Sequence, residues 1–359
     1  MSTAILTAPT PAAPVRPARL ASFGPNWFAA VMGTGIIANA AMLLPVRLPA
    51  LHGFAVVMWL LAAGLLVVLL VTSARHLVRH REVALGHHRS LTMAPFYGTV
   101  AMALLTVGSG AMLAGSALIG PRAALVIDAT LWTLGTAGGL LCAMAIPYLV
   151  LSVHRPGLQD VSCSWLLPVV PPVVSATAGT GLVPHLSGQL RLTVELICGA
   201  GIGISVLMAS AIIVLLWARL ARHGVGPAQM VPSLWLVLGP LGSSVTAVLL
   251  LAHAAASPVL MDLALDYSVP VWGFAIAWMT IAAAITLRTA RRGLSFSLAW
   301  WAFTFPVGTV ITATSELALH THAIGFIGVA VSLFAGLLVA WTAVAWQTAR
   351  GVVDGSLFV

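Results

Sequence analysis

The sequence predicts an all-α integral membrane protein of ten transmembrane helices, and three observations carry that expectation. Of the 359 residues, 60% are hydrophobic and only 7% charged, with a mean hydropathy of +1.06. A soluble domain carries roughly 25% charged residues, so this chain cannot cover a water-facing surface of its own size. The few charges are spaced so that ten uncharged stretches remain, each able to supply the roughly 20 residues a helix needs to cross the hydrocarbon. Helix breakers recur in every second stretch.

The ten stretches run 20–46, 48–74, 90–121, 129–154, 161–190, 196–218, 223–261, 267–287, 293–315 and 317–349. The first carries Gly33-Thr34-Gly35. The third opens with Pro95-Phe96-Tyr97-Gly98 and contains Gly108 and Gly110. The fifth has Pro168, Pro171 and Pro172, the seventh Gly239-Pro240 and Gly242, and the ninth Phe305-Pro306 and Gly308. Among the even stretches, Pro147 in the fourth is read as the one interior proline. Proline removes a backbone donor and kinks a helix, and carbonyls freed in a membrane are tolerated only against protein or water. The alternation therefore predicts an inner ring of kinked odd helices around an axial path, with smoother even helices outside. The expected kink residues are Gly33, Gly35, Pro95, Pro168, Pro171, Gly239, Pro240 and Pro306.

Orientation follows from arginine, the only basic residue besides histidine, because the chain has no lysine. Ten spans place both termini and the even-numbered connections on one side. Thirteen arginines fall there, including Arg16, Arg19, Arg75, Arg219, Arg288 and Arg350, against Arg47, Arg122 and Arg191 opposite. The positive-inside rule then makes both termini cytoplasmic in a plasma membrane. In a soluble protein a net charge of +8 would point to nucleic acid. Here it is expected to anchor against an anionic lipid leaflet, with no nucleic-acid partner. Residues 1–22, rich in Ala, Pro and Thr, lack a signal-peptide core and read as a disordered cytoplasmic tail. Residues 23–350 form the permeation domain and 351–359 a short C-terminal tail.

Five segments carry a resemblance. They are Phe23-Gly-Pro-Asn-Trp-Phe-Ala-Ala-Val-Met-Gly-Thr-Gly-Ile36, Pro95-Phe-Tyr-Gly-Thr99, Ser164-Trp-Leu-Leu-Pro-Val-Val-Pro171, Pro232-Ser-Leu-Trp-Leu-Val-Leu-Gly-Pro240 and Ser297-Leu-Ala-Trp-Trp-Ala-Phe-Thr-Phe-Pro306. In this order the chain resembles the tellurite-resistance/dicarboxylate transporter family, whose members include bacterial tellurite-resistance protein A, fungal malate and sulfite transporters and the plant slow anion channel. The resemblance implies five hairpins in a quasi-fivefold arrangement, a homotrimer, and a pore for small inorganic or organic anions. It also implies a phenylalanine gate before the ninth-helix kink, which falls on Phe305 rather than Phe303. A proton-coupled carrier of malate-like C4-dicarboxylates, or a sulfite exporter, is the alternative function.

An anion in a narrow apolar pore needs dipoles to replace its water. No arginine falls deep in a stretch, so the candidate lining is Thr34, Phe96, Thr99, Ser109, Ser175, Ser243, Ser244, Thr304 and Thr309. Such hydroxyls also bond back to their own helices. Asp128, Glu195, Asp262, Asp266 and Glu316 fall at stretch ends, where solvated or capping roles are expected; Glu316 is the candidate coupling or outer-mouth acid. His253 reads as a packing residue. His76 and His80 stand at i, i+4 beside Glu82, His87 and His88, but the surrounding arginines repel cations, so no metal is expected. Cys142, Cys163 and Cys198 show no metal-ligand spacing. His154, Asp160, Cys163 and Ser164 match no catalytic motif, so neither an enzyme nor a cofactor is expected.

Overall fold

A computed structural model describes residues 20–358, so Arg16, Arg19 and most of the expected N-terminal tail lie outside the described residues. Ten helices are long and apolar enough to cross a membrane: α1 (Pro25–Leu43), α2 (Pro49–Arg79), α3 (Ala94–Ile119), α4 (Pro121–His154), α5 (Cys163–His185), α6 (Gly188–His223), α7 (Ala228–Ala254), α8 (Pro258–Ala290), α9 (Leu298–Thr321) and α10 (Ile324–Val353). No strand occurs among the described residues.

The odd and even helices have different surroundings. In their most apolar stretches the odd helices are 56% to 89% buried, against 17% to 33% for the even ones. The odd helices form a closed cycle of contacts: α1 packs on α3, α3 on α5, α5 on α7, α7 on α9, and α9 returns to α1. Each even helix lies in the outer groove between two odd neighbours, and α10 closes the circuit between α9 and α1.

The helix breakers mark a change of helix type. Every odd helix opens with a 3₁₀ segment, at Pro25–Trp27, Ala94–Phe96, Cys163–Leu166, Ala228–Val237 and Leu298–Phe303. Each then becomes α-helical, from Phe28, Tyr97, Pro171, Leu238 and Phe305. Proline lacks an N–H and resets the hydrogen-bond ladder at little cost in a first turn. Pro25, Pro95, Pro171 and Pro306 occupy such first-turn positions, and Pro168 lies in the turn between the two segments of α5. Gly239 and Pro240 stand in the first α-helical turn of α7. Gly33 and Gly35 lie within continuous α-helix, where their lack of a side chain permits close approach. A Cβ at Gly33 would strike Thr304 Oγ1 and the Trp301 ring.

Two sequence expectations need correction. Pro270 lies inside α8, so Pro147 is not the single interior proline of the even helices. Cutting the chain at Asp266 had placed Pro270 at an apparent helix start, whereas α8 begins at Pro258. The same bias misplaced the acids. All five lie inside helices, and Asp128 and Glu316 are 1% and 4% exposed rather than solvated. A single acid does not end a helix whose other residues remain apolar. Glu195 is paired with Arg191 at 2.8 Å, and Asp262 and Asp266 face outward.

Gly98 tests the packing of the ring most directly, because a Cβ there would overlap the backbone carbonyl of Leu167 where α3 meets α5. Gly98→Ala should lower stability by about 1–3 kcal/mol, the usual cost of overpacking, seen as a lower thermal midpoint in detergent.

Candidate functional site: an axial cavity bordered by Phe305

The ring encloses a cavity of about 240 Å³ lined by residues from all five odd helices. Asn39 comes from α1, Thr106 and Ser109 from α3, Thr177 and Thr180 from α5, Ser243 and His253 from α7, and Phe305, Thr309 and Thr312 from α9. Asp128 of α4 is the one lining residue from an outer helix. The wall reaches Leu43, Leu113, Pro184 and Ala254 at the C-terminal ends of α1, α3, α5 and α7. It includes no residue of the 3₁₀ segments that open the odd helices. Phe305, 2% exposed, begins the α-helical part of α9 and borders the cavity on its N-terminal side.

Hydrogen bonding shows which expected hydroxyls face inward. Ser109, Ser243 and Thr309 line the cavity with Phe305. The others bond to backbone or side chains away from the cavity, most of them between helices. Thr34 accepts from the Trp341 indole at 3.1 Å and donates to the Ala30 carbonyl. Thr99 donates to the carbonyls of Pro25 and Phe96, which ties α3 to α1. Ser175 pairs with Thr136 of α4, and Ser244 accepts from the Tyr267 hydroxyl of α8. Thr304 donates to the Trp301 carbonyl.

Asn39, Thr106, Thr177, Thr180, Thr312 and Asp128 are lining residues that sequence reasoning missed. Thr312 lies one turn beyond Thr309, so helical spacing pointed to it. On α5 no such signal existed, because small and apolar residues surround the whole helix and leave its rotation unmarked.

The wall is short of hydrogen-bond donors. Thr106, Thr177, Thr180, Thr309 and Thr312 all donate to carbonyls of their own helices. Asn39 donates from Nδ2 to the Thr106 carbonyl, which leaves Oδ1 without a partner among the described residues. Only Ser109 and Ser243 offer hydroxyls without a partner there. No arginine lines the wall; Arg191 stands at the mouth, donating to the Ala254 carbonyl at 3.0 Å. The cavity can hold a small ion by size and weak dipoles, and the arginine at its entrance is ion-paired with Glu195.

Glu316 lies elsewhere. It faces a separate recess of about 680 Å³ bordered by Arg47, His52 and Ser315, with its Oε2 3.6 Å from His320 Nε2. His320 in turn lies beside His253, with ring centroids 5.6 Å apart. The sequence neighbours His154, Asp160, Cys163 and Ser164 do not converge: Asp160 accepts from the Gly157 N–H, Ser164 donates to Ser162, and Cys163 is buried.

Ten spans around a weakly polar axial cavity define a membrane permeation protein. Residues 22–349 match the family model described as SLAC1, voltage-dependent anion channel, and the chain belongs to this family of anion channels and transporters. An uncharacterized transporter of Methanocaldococcus jannaschii is 27% identical over 339 residues, 94% of this chain and 95% of that one. The sulfite efflux pump SSU1 of Arthroderma otae is 28% identical, covering 86% of this chain and 84% of its own. That of Trichophyton rubrum is 29% identical, covering 83% and 82%.

At the opposite end of the ring, the His76 ring stacks against His87 at 5.6 Å, and its Nδ1 lies 2.7 Å from the Leu20 carbonyl. Burial, then the neighbouring His76, lowers the pKa of His87. The folded state therefore binds fewer protons here than the unfolded state. This contribution to stability is complete above the ordinary histidine range and is lost as pH falls through it. The thermal midpoint should fall between about pH 7 and pH 5, and His87→Phe should remove part of that slope.

Proposed function

We propose that the protein is a gated, passive pore for small anions, with the axial cavity as its path and Phe305 as its constriction. One observation carries this reading: a cavity walled by all five odd helices ends at the level of Phe305, with none of the opening 3₁₀ segments of those helices in its lining. Beyond that ring, a Cβ at Gly239 would meet no atom within 4 Å, although the residue is buried, which supports open space continuing along the axis. The donor-poor wall favours permissive selection by size over tight recognition, so chloride, nitrate and sulfite are better suited than malate. The sulfite efflux pumps among the relatives favour sulfite as cargo. They also support the second reading, in which sulfite or a C4-dicarboxylate is carried with a proton.

The hairpins are related by an approximate fivefold axis, and the protein works as a homotrimer in the plasma membrane with both termini cytoplasmic. The closed cycle of contacts supports the first feature, the family resemblance the trimer, and the thirteen-to-three arginine asymmetry the orientation. The breaks at Pro95, Pro168, Pro171, Gly239, Pro240 and Pro306 position the wall, Gly33 and Gly35 allow close approach within it, and Glu316 belongs to the outer recess.

In proteoliposomes, flux of chloride, nitrate, sulfite and malate should follow the electrochemical gradient of each anion. Phe305→Ala should raise that flux about tenfold for every 1.4 kcal/mol removed from the barrier. Wild-type flux through a correctly inserted Phe305→Ala protein would refute the gate. Accumulation that collapses with the pH gradient would favour the coupled carrier. A reporter fused after Val359 should be accessible only from the cytoplasm, and external labelling would reverse the topology.

A further inference from the structure

Asp128 differs in kind from the rest of the cavity wall. It belongs to outer helix α4 and reaches the cavity beside Gly108 of α3, where a Cβ would stand 2.8 Å from its Oδ1. The residue is 1% exposed, and neither carboxyl oxygen has a hydrogen-bond partner among the described residues.

Nothing charged compensates it. Helix α4 packs against α3 and α5. The titratable residue of α3 is Tyr97, about three turns from Gly108. Those of α5 are Cys163, at the far end of that helix, and the exposed His185. On α4 itself, Arg122 is exposed six residues away and Cys142 lies fourteen residues further on. His253 of α7 is the other titratable side chain of the wall. An ionised carboxylate is costly in such a site without a partner, and an ionisable residue facing an intramembrane cavity marks function more often than structure.

We propose that Asp128 is a proton-binding site of the permeation path, and that an anion occupies the cavity only when this carboxyl carries its proton. The proposal rests on the reading of the axial cavity as the anion path. When ionised, Asp128 places a negative charge in the same confined space as the anion and repels it. When a hydronium ion reaching the cavity through water gives up its proton, one O–H bond of hydronium breaks, a carboxyl O–H forms and water is left, so Asp128 loses its charge and the wall gains an O–H donor. By linkage, the proton and the anion each strengthen the binding of the other.

The test is anion flux in proteoliposomes across a series of pH values on the side where the cavity opens. Wild-type flux should rise on acidification, by at most about tenfold per pH unit for one proton, and level off once the site is loaded. Asp128→Asn keeps the shape, stays neutral and donates, so its flux should be independent of pH at the acid-limit level. Asp128→Glu should restore a pH dependence. Infrared difference spectra provide a readout independent of transport: apart from any band of the buried Glu316, which both proteins share, the wild type should show a titrating carbonyl band of a buried, protonated carboxyl that is absent from Asp128→Asn. An Asp128→Asn protein that retains the wild-type pH slope overturns the proposal, as does one that retains the band. If Asp128→Asn fails to insert, the wild-type band and flux decide: coincident midpoints support the proposal and separate midpoints overturn it. A wild type that passes no anion at any pH, yet shows the titrating band, refutes the anion path and leaves the proton site standing.

Discussion

Lipid offers no hydrogen bonds, so every backbone group freed by a break in the inner helices must find a partner within the protein. The clearest case is α5, where Pro171 and Pro172 interrupt the ladder. There the Ser205 hydroxyl of α6 accepts from the Val173 N–H at 3.0 Å and donates to the Val169 carbonyl at 2.6 Å. One outer-ring side chain thus bridges a donor and an acceptor that a regular helix would have paired directly. Tryptophans serve the same ends elsewhere. Trp59 of α2 donates to the Val107 carbonyl, Trp132 of α4 to that of Ser175, and Trp278 of α8 to that of Leu234. Trp272 and Trp341 donate to the hydroxyls of Thr314 and Thr34. The outer ring therefore supplies donors as well as apolar surface.

This division of labour shapes the cavity. Threonine hydroxyls that donate to their own helices present lone pairs to the interior, and other hydroxyls are drawn outward to join the two rings. The interior is left with few protons to offer an anion. At the mouth Arg191 is ion-paired with Glu195, so positive charge is concentrated in the arginine-rich connections at the other end. A wall of this kind holds a small ion weakly along its length.

Much of this was legible in the sequence. Charges in a membrane chain cluster at helix ends, so their spacing revealed ten spans, and the alternation of prolines distinguished the inner helices from the outer ones. Rotation about each helix axis was not legible. Thr34 and Ser244 face outward while Thr309 and Ser243 face inward, because inner helices buried on every side carry no polar stripe. Asp128 and Glu316 were misread for the opposite reason. A carboxyl is normally evidence for water, and only the fold reveals the glycine notch at Gly108 that lets Asp128 sit inside.

The bond from Trp341 to Thr34 spans 307 positions of the chain, and Phe358 stacks on Trp27 at 5.5 Å. Biogenesis is constrained by this closure. A ribosome delivers α1 to the membrane long before α9 and α10, so the first helix waits with its Gly33 groove unfilled and without the indole N–H that Trp341 later gives to Thr34. No fragment that stops short of the ninth span can enclose the axis.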